Sequence, residues 1–262
     1  MFNESSREFM PNDGSLLLAP TSADNTLLRQ FNSQFKTLQA DTAERLRIAH
    51  TIRYQVYCVE NRLESSGDNP LGLETDEFDA HSVHSLVIHR GTGLALATVR
   101  LILPLVHEFE RSFALQHLMY PDSLKILREL PRQSTAEVSR FSISRHARHR
   151  LKNSPRALDG TDPTLERISG PLTRLGLVQG LVRMSIQNGI THWCALVEPT
   201  LLRMLSAMAI RFRPIGPEIE FRGMRQACWL NVSEMLNAVM CERPRFWELI
   251  TDAGALRLSS AA

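Results

Sequence analysis

Hydrophobic and polar positions along the chain divide it into short strands and longer helices. Residues 1–30 are polar and carry no sustained period, which predicts a flexible N-terminal arm. Phe31–Ala40 alternates weakly, with Phe35, Thr37 and Gln39 against Lys36 and Leu38, and predicts a first strand. Asp41 and Thr42 are capping residues for a helix expected to run to about Glu60. At about 100° per residue, Leu46, Ala49, Ile52, Val56 and Tyr57 of that helix share one apolar arc. Gly67, Pro70 and Gly72 mark a loop over residues 61–80. His84–Arg90 and Leu94–Leu103 are rich in Leu, Val and Ile and read as two strands joined by the turn Arg90-Gly91-Thr92-Gly93.

Short helical pieces are expected over 112–130, stopped by Pro131, and Glu137–Ser144 reads as the next strand. Residues 145–163 contain Pro and Gly and read as a basic loop. Ser169 is expected to cap a long helix to Asn188, with Pro171 in its first turn and Gly189 just past its end. Gly176 and Gly180 lie on one face of that helix and predict close packing on a sheet. Trp193–Val197 and Phe212–Ile215 read as strands, with a helix from Pro199 to Ile210 between them. Residues 224–250 supply one more short strand and terminal helices. The alternation describes a mixed α/β domain over 31–223, with 224–262 as a C-terminal extension packed on the same domain.

Composition narrows the class. The chain has 262 residues, 43% hydrophobic and 22% charged, which excludes a disordered chain, a collagen or a small disulfide scaffold. A net charge of +2 argues against bulk nucleic-acid coating. The basic residues are 27 Arg and only 3 Lys. Arg suits bidentate contacts to carboxylate or phosphate, although genome composition gives the same bias. Cys58, Cys194, Cys228 and Cys241 are scattered and form no C-x-x-C pair, which argues against zinc ribbons and thioredoxin chemistry. No signal peptide or apolar run of about 18 residues is present, so a soluble cytoplasmic protein with reduced thiols is expected.

Several polar residues fall where a core is expected. Arg53 lies inside the apolar arc, where a guanidinium either pairs with an acidic partner or snorkels to the surface. Arg100 interrupts a strand that is apolar on both faces and is expected to be paired as well. The loop Glu74-Thr75-Asp76-Glu77-Phe78-Asp79 can supply those partners, with Asp76 and Asp79 flanking Phe78. His81 and His84 follow it, but the spacing fits no compact zinc pattern and no metal is expected.

Glu137-Val138-Ser139-Arg140-Phe141 is a third constellation: an ideal strand puts Glu137 and Arg140 on opposite faces, whereas a bulge brings them together. A buried carboxylate there either ion-pairs with an arginine or has its pKa raised into the range of a general base. Arg145, Arg148, Arg150 and Lys152 then place four positive charges within eight residues, followed by Arg156. Next to a helix N-terminus, such a segment suits a phosphate-bearing or acidic partner, or is simply a solvated loop.

The run Arg53-x-x-x-Tyr57, Asp76-x-x-Asp79, Arg100 and Glu137-x-x-Arg140-Phe141 resembles the acyl-homoserine-lactone (autoinducer) synthases, relatives of the GNAT acyltransferases. Closer still is the resemblance to the PEP-CTERM/exosortase-associated acyltransferases. It rests on 52–60, 73–84, Val138-Ser139-Arg140-Phe141, Asn188-Gly189-Ile190-Thr191-His192-Trp193 and Glu198-Pro199, and spans about 31–250. Long-chain N-acyl amino acid synthases are a neighbouring family. The resemblance implies a GNAT-like fold: a mixed central sheet, helices on both faces, and a V-shaped splay between parallel strands at 137–144 and 193–197. It also implies an acyl-phosphopantetheine thioester as co-substrate, with no permanently bound cofactor.

Under that resemblance the expected chemistry is acyl transfer from an acyl carrier protein, or coenzyme A, to a small-molecule amine. Glu137 is the expected base, with Arg140 beside it; Arg53, Tyr57, Asp76, Asp79 and Arg100 form the acceptor side. Arg145, Arg148, Arg150 and Lys152 form the donor entrance, where their charge suits an acidic carrier protein. Two departures matter. No Gly-rich pyrophosphate loop lies between Ser144 and Ser169, which favours carrier protein over coenzyme A. The tryptophans are Trp193, Trp229 and Trp247, so the one that follows the helix motif in autoinducer synthases is missing. A lactone synthase using S-adenosylmethionine and a non-catalytic acyl-binding module are the alternatives. The sequence leaves the oligomeric state open.

Overall fold

The structure, a computed structural model, describes residues 26–154 and 163–256. The arm up to residue 25, Arg156 and residues 257–262 lie outside the described residues. Helix α1 (Thr26–Gln34) leads into strand β1 (Phe35–Gln39), helix α2 (Ala43–Tyr54) and a wider π turn over Gln55–Glu60. A short 3-10 turn (Glu77–His81) precedes β2 (Ser82–His89) and β3 (Ala95–Ile102). Helix α3 (Pro121–Glu129), β4 (Thr135–Ile143) and α4 (Arg145–Lys152) follow. The chain continues through α5 (Pro163–Gln187), β5 (His192–Val197), α6 (Pro199–Ala207), β6 (Arg213–Glu220) and β7 (Met224–Asn231). Helices α7 (Val232–Glu242) and α8 (Pro244–Ile250) complete the described elements.

The strands form one mixed sheet in the order β1-β2-β3-β4-β5-β7-β6. Among the described strands only β4 and β5 run parallel to each other. They pair at Thr135–His192, Ala136–Trp193 and Glu137–Cys194, and the ladder stops there although both strands continue. This opens the V-shaped splay expected between them. Helix α5 packs across one face of the sheet, with Phe31, Phe35, Val87, Val99, Leu181 and Trp193 in the shared core. Helix α2 and the π turn after it cover part of the other face through Ala49, Ile52 and Val56 against Leu86 and Ile88. The same face carries Phe78, Ile102, Phe113 and Leu127 further along. Gly176 and Gly180 make the close approach possible: a Cβ on Gly180 would stand 2.2 Å from Ser85 Oγ, and one on Gly176 2.8 Å from the Phe31 ring.

Three segments differ from the sequence expectation. Thr26–Gln34 is helical, whereas an arm and then a strand from Phe31 are expected there. The buried pair Leu28 and Phe31 has helical spacing, and the alternating stretch starts only at Phe35. Residues 145–152 are helix α4 rather than loop. They contain no Pro or Gly, and the Ser144 hydroxyl caps them by accepting from Ala147 N at 3.0 Å. Helix α5 starts at Pro163, ahead of the expected Ser169 cap, and runs on through Pro171.

Candidate active site

Arg53 reaches the middle of the molecule from α2 and is fully buried, which settles its choice between pairing and snorkelling. Its guanidinium donates to Glu74 Oε2 and to Asp79 Oδ1, the latter at 2.6 Å. Arg100, equally buried on β3, donates to Asp76 Oδ1 at 2.5 Å, to Asp79 Oδ1 at 2.9 Å and to Ser139 Oγ at 2.9 Å. Arg140 donates from Nη2 to Glu74 Oε1 at 2.8 Å and to Asp76 Oδ2 at 3.0 Å. Its guanidinium also lies 5.0 Å over the Tyr57 ring. Three guanidinium groups thus meet three carboxylates, so the low-dielectric interior holds a nearly balanced set of charges.

Local folding explains each position. Asp76 Oδ1 accepts from Phe78 N at 3.0 Å and Asp79 Oδ2 from Asp76 N at 2.8 Å, a reciprocal cap that fixes both carboxylates. On β4, Ser139 and Ser142 oppose Arg100 and Thr98, so β4 carries one extra residue. Arg140 sits in that bulge with φ of 50°. The bulge turns its side chain onto the acidic loop, as expected for a strand that brings Glu137 and Arg140 to one side.

The charges act on one another. Burial raises the Glu74 carboxyl, but the charges and hydrogen bonds of Arg140 and Arg53 outweigh it and hold the pKa at about 2. Burial likewise works against Asp79, and His84, Arg53 and Arg100 hold it well below the usual carboxylate range. Glu137 behaves oppositely. It is 4% exposed, and burial lifts it to about 7 despite the hydrogen bond its Oε2 accepts from Leu115 N at 3.0 Å. Glu137 is the last β4 residue paired with β5, so it stands at the apex of the splay.

Between the diverging strands lies a largely apolar cavity of about 210 Å³. Val138, Phe141, Trp193, Val197, Leu205 and Phe212 form much of its wall. Of the residues expected on the acceptor side, Tyr57 lines this cavity, as does Arg140. Arg53, Arg100, Asp76, Asp79 and Glu137 are not part of its wall. Arg145 and Arg148 line a second, polar cavity of about 230 Å³ with Glu60, Asn61 and Arg174. Arg150 and Lys152 are exposed on α4.

Two residues of the network are not among the expected site residues: Glu74, which holds both Arg53 and Arg140, and Ser139, which holds Arg100 and faces the cavity. Glu74 sits in the acidic loop, and only its burial marks it out. His84 joins the network at 3.2 Å from Asp79 Oδ1. With His50 it places ligand-type atoms of His50, Asp79 and His84 within 4.8 Å of one another. Arg53 Nη1 stands 3.3 Å from His84 Nε2 and 2.6 Å from Asp79 Oδ1, where its charge opposes a cation.

Residues 52–155 match the family described as acetyltransferase (GNAT) domain. No curated protein matches the chain. Among solved structures, TofI in a ternary complex with an inhibitor and MTA is similar at 16% identity and a TM-score of 0.54, covering 78% of this chain and 96% of that one. BjaI, a CoA-dependent acyl-homoserine lactone synthase with SAM and isopentyl-CoA, is similar at 16% identity and a TM-score of 0.52, over 87% and 92% of the two chains. FeeM, an N-acyl amino acid synthase from uncultured soil microbes, is similar at 14% identity and a TM-score of 0.51, over 79% and 96%. Among the described residues no helix is long and apolar enough to cross a membrane. Residues 52–155 therefore resemble an acetyltransferase (GNAT) domain, and the fold as a whole is similar to that of TofI, BjaI and FeeM.

Proposed function

We propose that the chain moves a fatty acyl group from a phosphopantetheine thioester on an acyl carrier protein to the amine of an amino acid or similar small acceptor. The observation that carries this reading is the apolar cavity between the diverging β4 and β5, with the buried Glu137 carboxyl, its pKa raised, at the point where the two strands part. The acyl chain occupies the apolar wall, and the thioester carbonyl lies against the β4 backbone past Glu137, where the ladder to β5 has ended. Backbone N–H groups freed by the splay stabilise the oxyanion.

The amine nitrogen attacks the carbonyl carbon, the carbon–sulfur bond breaks, and the sulfur leaves as a thiol. The proton lost by the amine passes to Glu137 through a water and then to the leaving sulfur. Arg140 lines the cavity and holds the acceptor's carboxylate; Asp76 holds Arg140, and Arg53, Arg100 and Asp79 hold the acidic loop to which Asp76 belongs, so these four are positioning residues. The basic residues of α4, with Arg150 and Lys152 exposed and Arg145 and Arg148 at the polar cavity, suit an acidic carrier protein. The likeness to PEP-CTERM/exosortase-associated acyltransferases is part of this reading.

Amine-dependent thiol release from an acyl carrier protein thioester tests it. The expected result is release that needs both substrates and falls by about 100-fold or more in Glu137→Gln, the range for loss of a general base. Donor binding with no amine-dependent release would instead make the chain an acyl-binding module.

A further inference from the structure

The N-terminus of α4 faces the polar cavity beside the splay, where a donor's phosphate end would arrive. A helix N-terminus is ordinarily a ready seat for an anion. Here that seat is filled from within the chain. Glu60, at the end of the π turn, accepts from Arg145 N at 2.9 Å through Oε2. Its Oε1 accepts from His146 N at 2.9 Å and from Ser144 Oγ at 2.8 Å. Arg145 closes over it, donating from Nη2 to Glu60 O at 2.6 Å. Burial raises the Glu60 carboxyl, but these backbone and hydroxyl donors prevail and hold it below its usual value, so the carboxylate is charged.

The other wall of the cavity has the opposite character. Arg148 and Arg174 come from α4 and α5, and their Nη1 atoms lie 3.9 and 3.8 Å from the point where a Cβ on Gly170 would stand. Neither guanidinium has a carboxylate partner among the described residues, and Arg148 Nε is buried without a hydrogen bond. Burial, and then the charge of Arg148, lower the Arg174 pKa, as expected of two cations without a counter-ion.

We propose that Glu60 determines which donor the cleft accepts, by occupying the anion seat on α4 and leaving only the Arg148–Arg174 pair for a phosphate. A single phosphate, as in phosphopantetheine on a carrier protein, fits that pair. The second phosphate of a diphosphate such as coenzyme A meets the Glu60 carboxylate. This inference rests on the reading of the cleft as a thioester-donor site.

Titration calorimetry of the full chain with 4′-phosphopantetheine and with coenzyme A tests it. The wild type is expected to bind phosphopantetheine at least as tightly as coenzyme A. In Glu60→Ala, coenzyme A is expected to gain about tenfold while phosphopantetheine changes less than about threefold. Glu60→Gln keeps an acceptor oxygen and drops the charge; it is expected to show the same trend, so the test survives if the Ala variant folds poorly. A joint Arg148→Ala and Arg174→Ala variant is expected to lose about tenfold or more for phosphopantetheine. Unchanged coenzyme A affinity in both Glu60 variants, with phosphopantetheine binding intact, overturns the role of Glu60 alone. A wild type that binds neither probe overturns the donor-site reading and this proposal with it.

Discussion

Glu74→Gln is the sharpest test of the buried charge network. Glu74 is 3% exposed and accepts from both Arg53 and Arg140. The substitution keeps the shape and removes the charge, leaving two buried guanidinium groups facing a neutral amide. Breaking a buried pair in this way costs about 3–5 kcal/mol. The pKa gives the same scale: a fall from the ordinary 4.5 to about 2 corresponds to roughly 3 kcal/mol of folding free energy. For a chain of this size that is a Tm lowered by about 6–12 °C at pH 7. The sign with pH follows from linkage. Because the folded pKa is depressed, the contribution is complete above 4.5 and is lost as pH falls through about 2. Thermal melts of wild type and variant should therefore lie far apart at pH 7 and approach each other near pH 3. A Tm change under about 2 °C at pH 7, or an offset that does not shrink on acidification, refutes the network's role in stability.

Glu137 makes a prediction of opposite sign. Its folded pKa is raised to about 7, so its contribution to stability is present below 4.5 and is lost as pH rises through 7. Glu137→Gln should melt several degrees above wild type at pH 8 and alongside it at pH 4, while losing the kinetic limb near pH 7 in kcat/KM; melting curves and a pH–rate profile check both. Gly180→Ala should destabilise by about 1–3 kcal/mol, read from urea unfolding, because its Cβ would stand 2.6 Å from Ser85 Cβ across the α5–β2 contact. Burial pushes the thiols of Cys58, Cys194 and Cys228 up, so iodoacetamide on the folded protein should label the exposed Cys241 first, as peptide mass spectrometry would show.

Much of the site is legible because charge in an apolar pattern is conspicuous. Arg53 on the inner arc of a helix and Arg100 in an apolar strand require acidic partners, and the nearest acidic run supplies Asp76 and Asp79. Glu74 does not stand out in the sequence, since its neighbours in the loop carry the same charge and only tertiary packing buries it. The bulge that aims Arg140 is a feature of strand register, which local composition specifies weakly. Helix α4 shows the limit from the other side. A run of Arg and His looks like a solvated loop until Ser144 and Glu60, the latter distant in sequence, cap its first turn. The short helix α1 escaped because Leu28 and Phe31 span less than one turn beyond the arm. Gly176 and Gly180, by contrast, announced their tight packing directly.

The central claim is amide-forming acyl transfer, and its most direct measurement is mass spectrometry of lipid extracts from a host making the full chain, against a Glu137→Gln control. The account predicts new N-acylated amino acids or amines that are absent from the control, with their masses giving acyl length and acceptor together. An acyl-homoserine lactone as the new species would contradict the acceptor assignment. Equal amounts of product with wild type and Glu137→Gln would contradict the assignment of the buried carboxyl at the splay as the base.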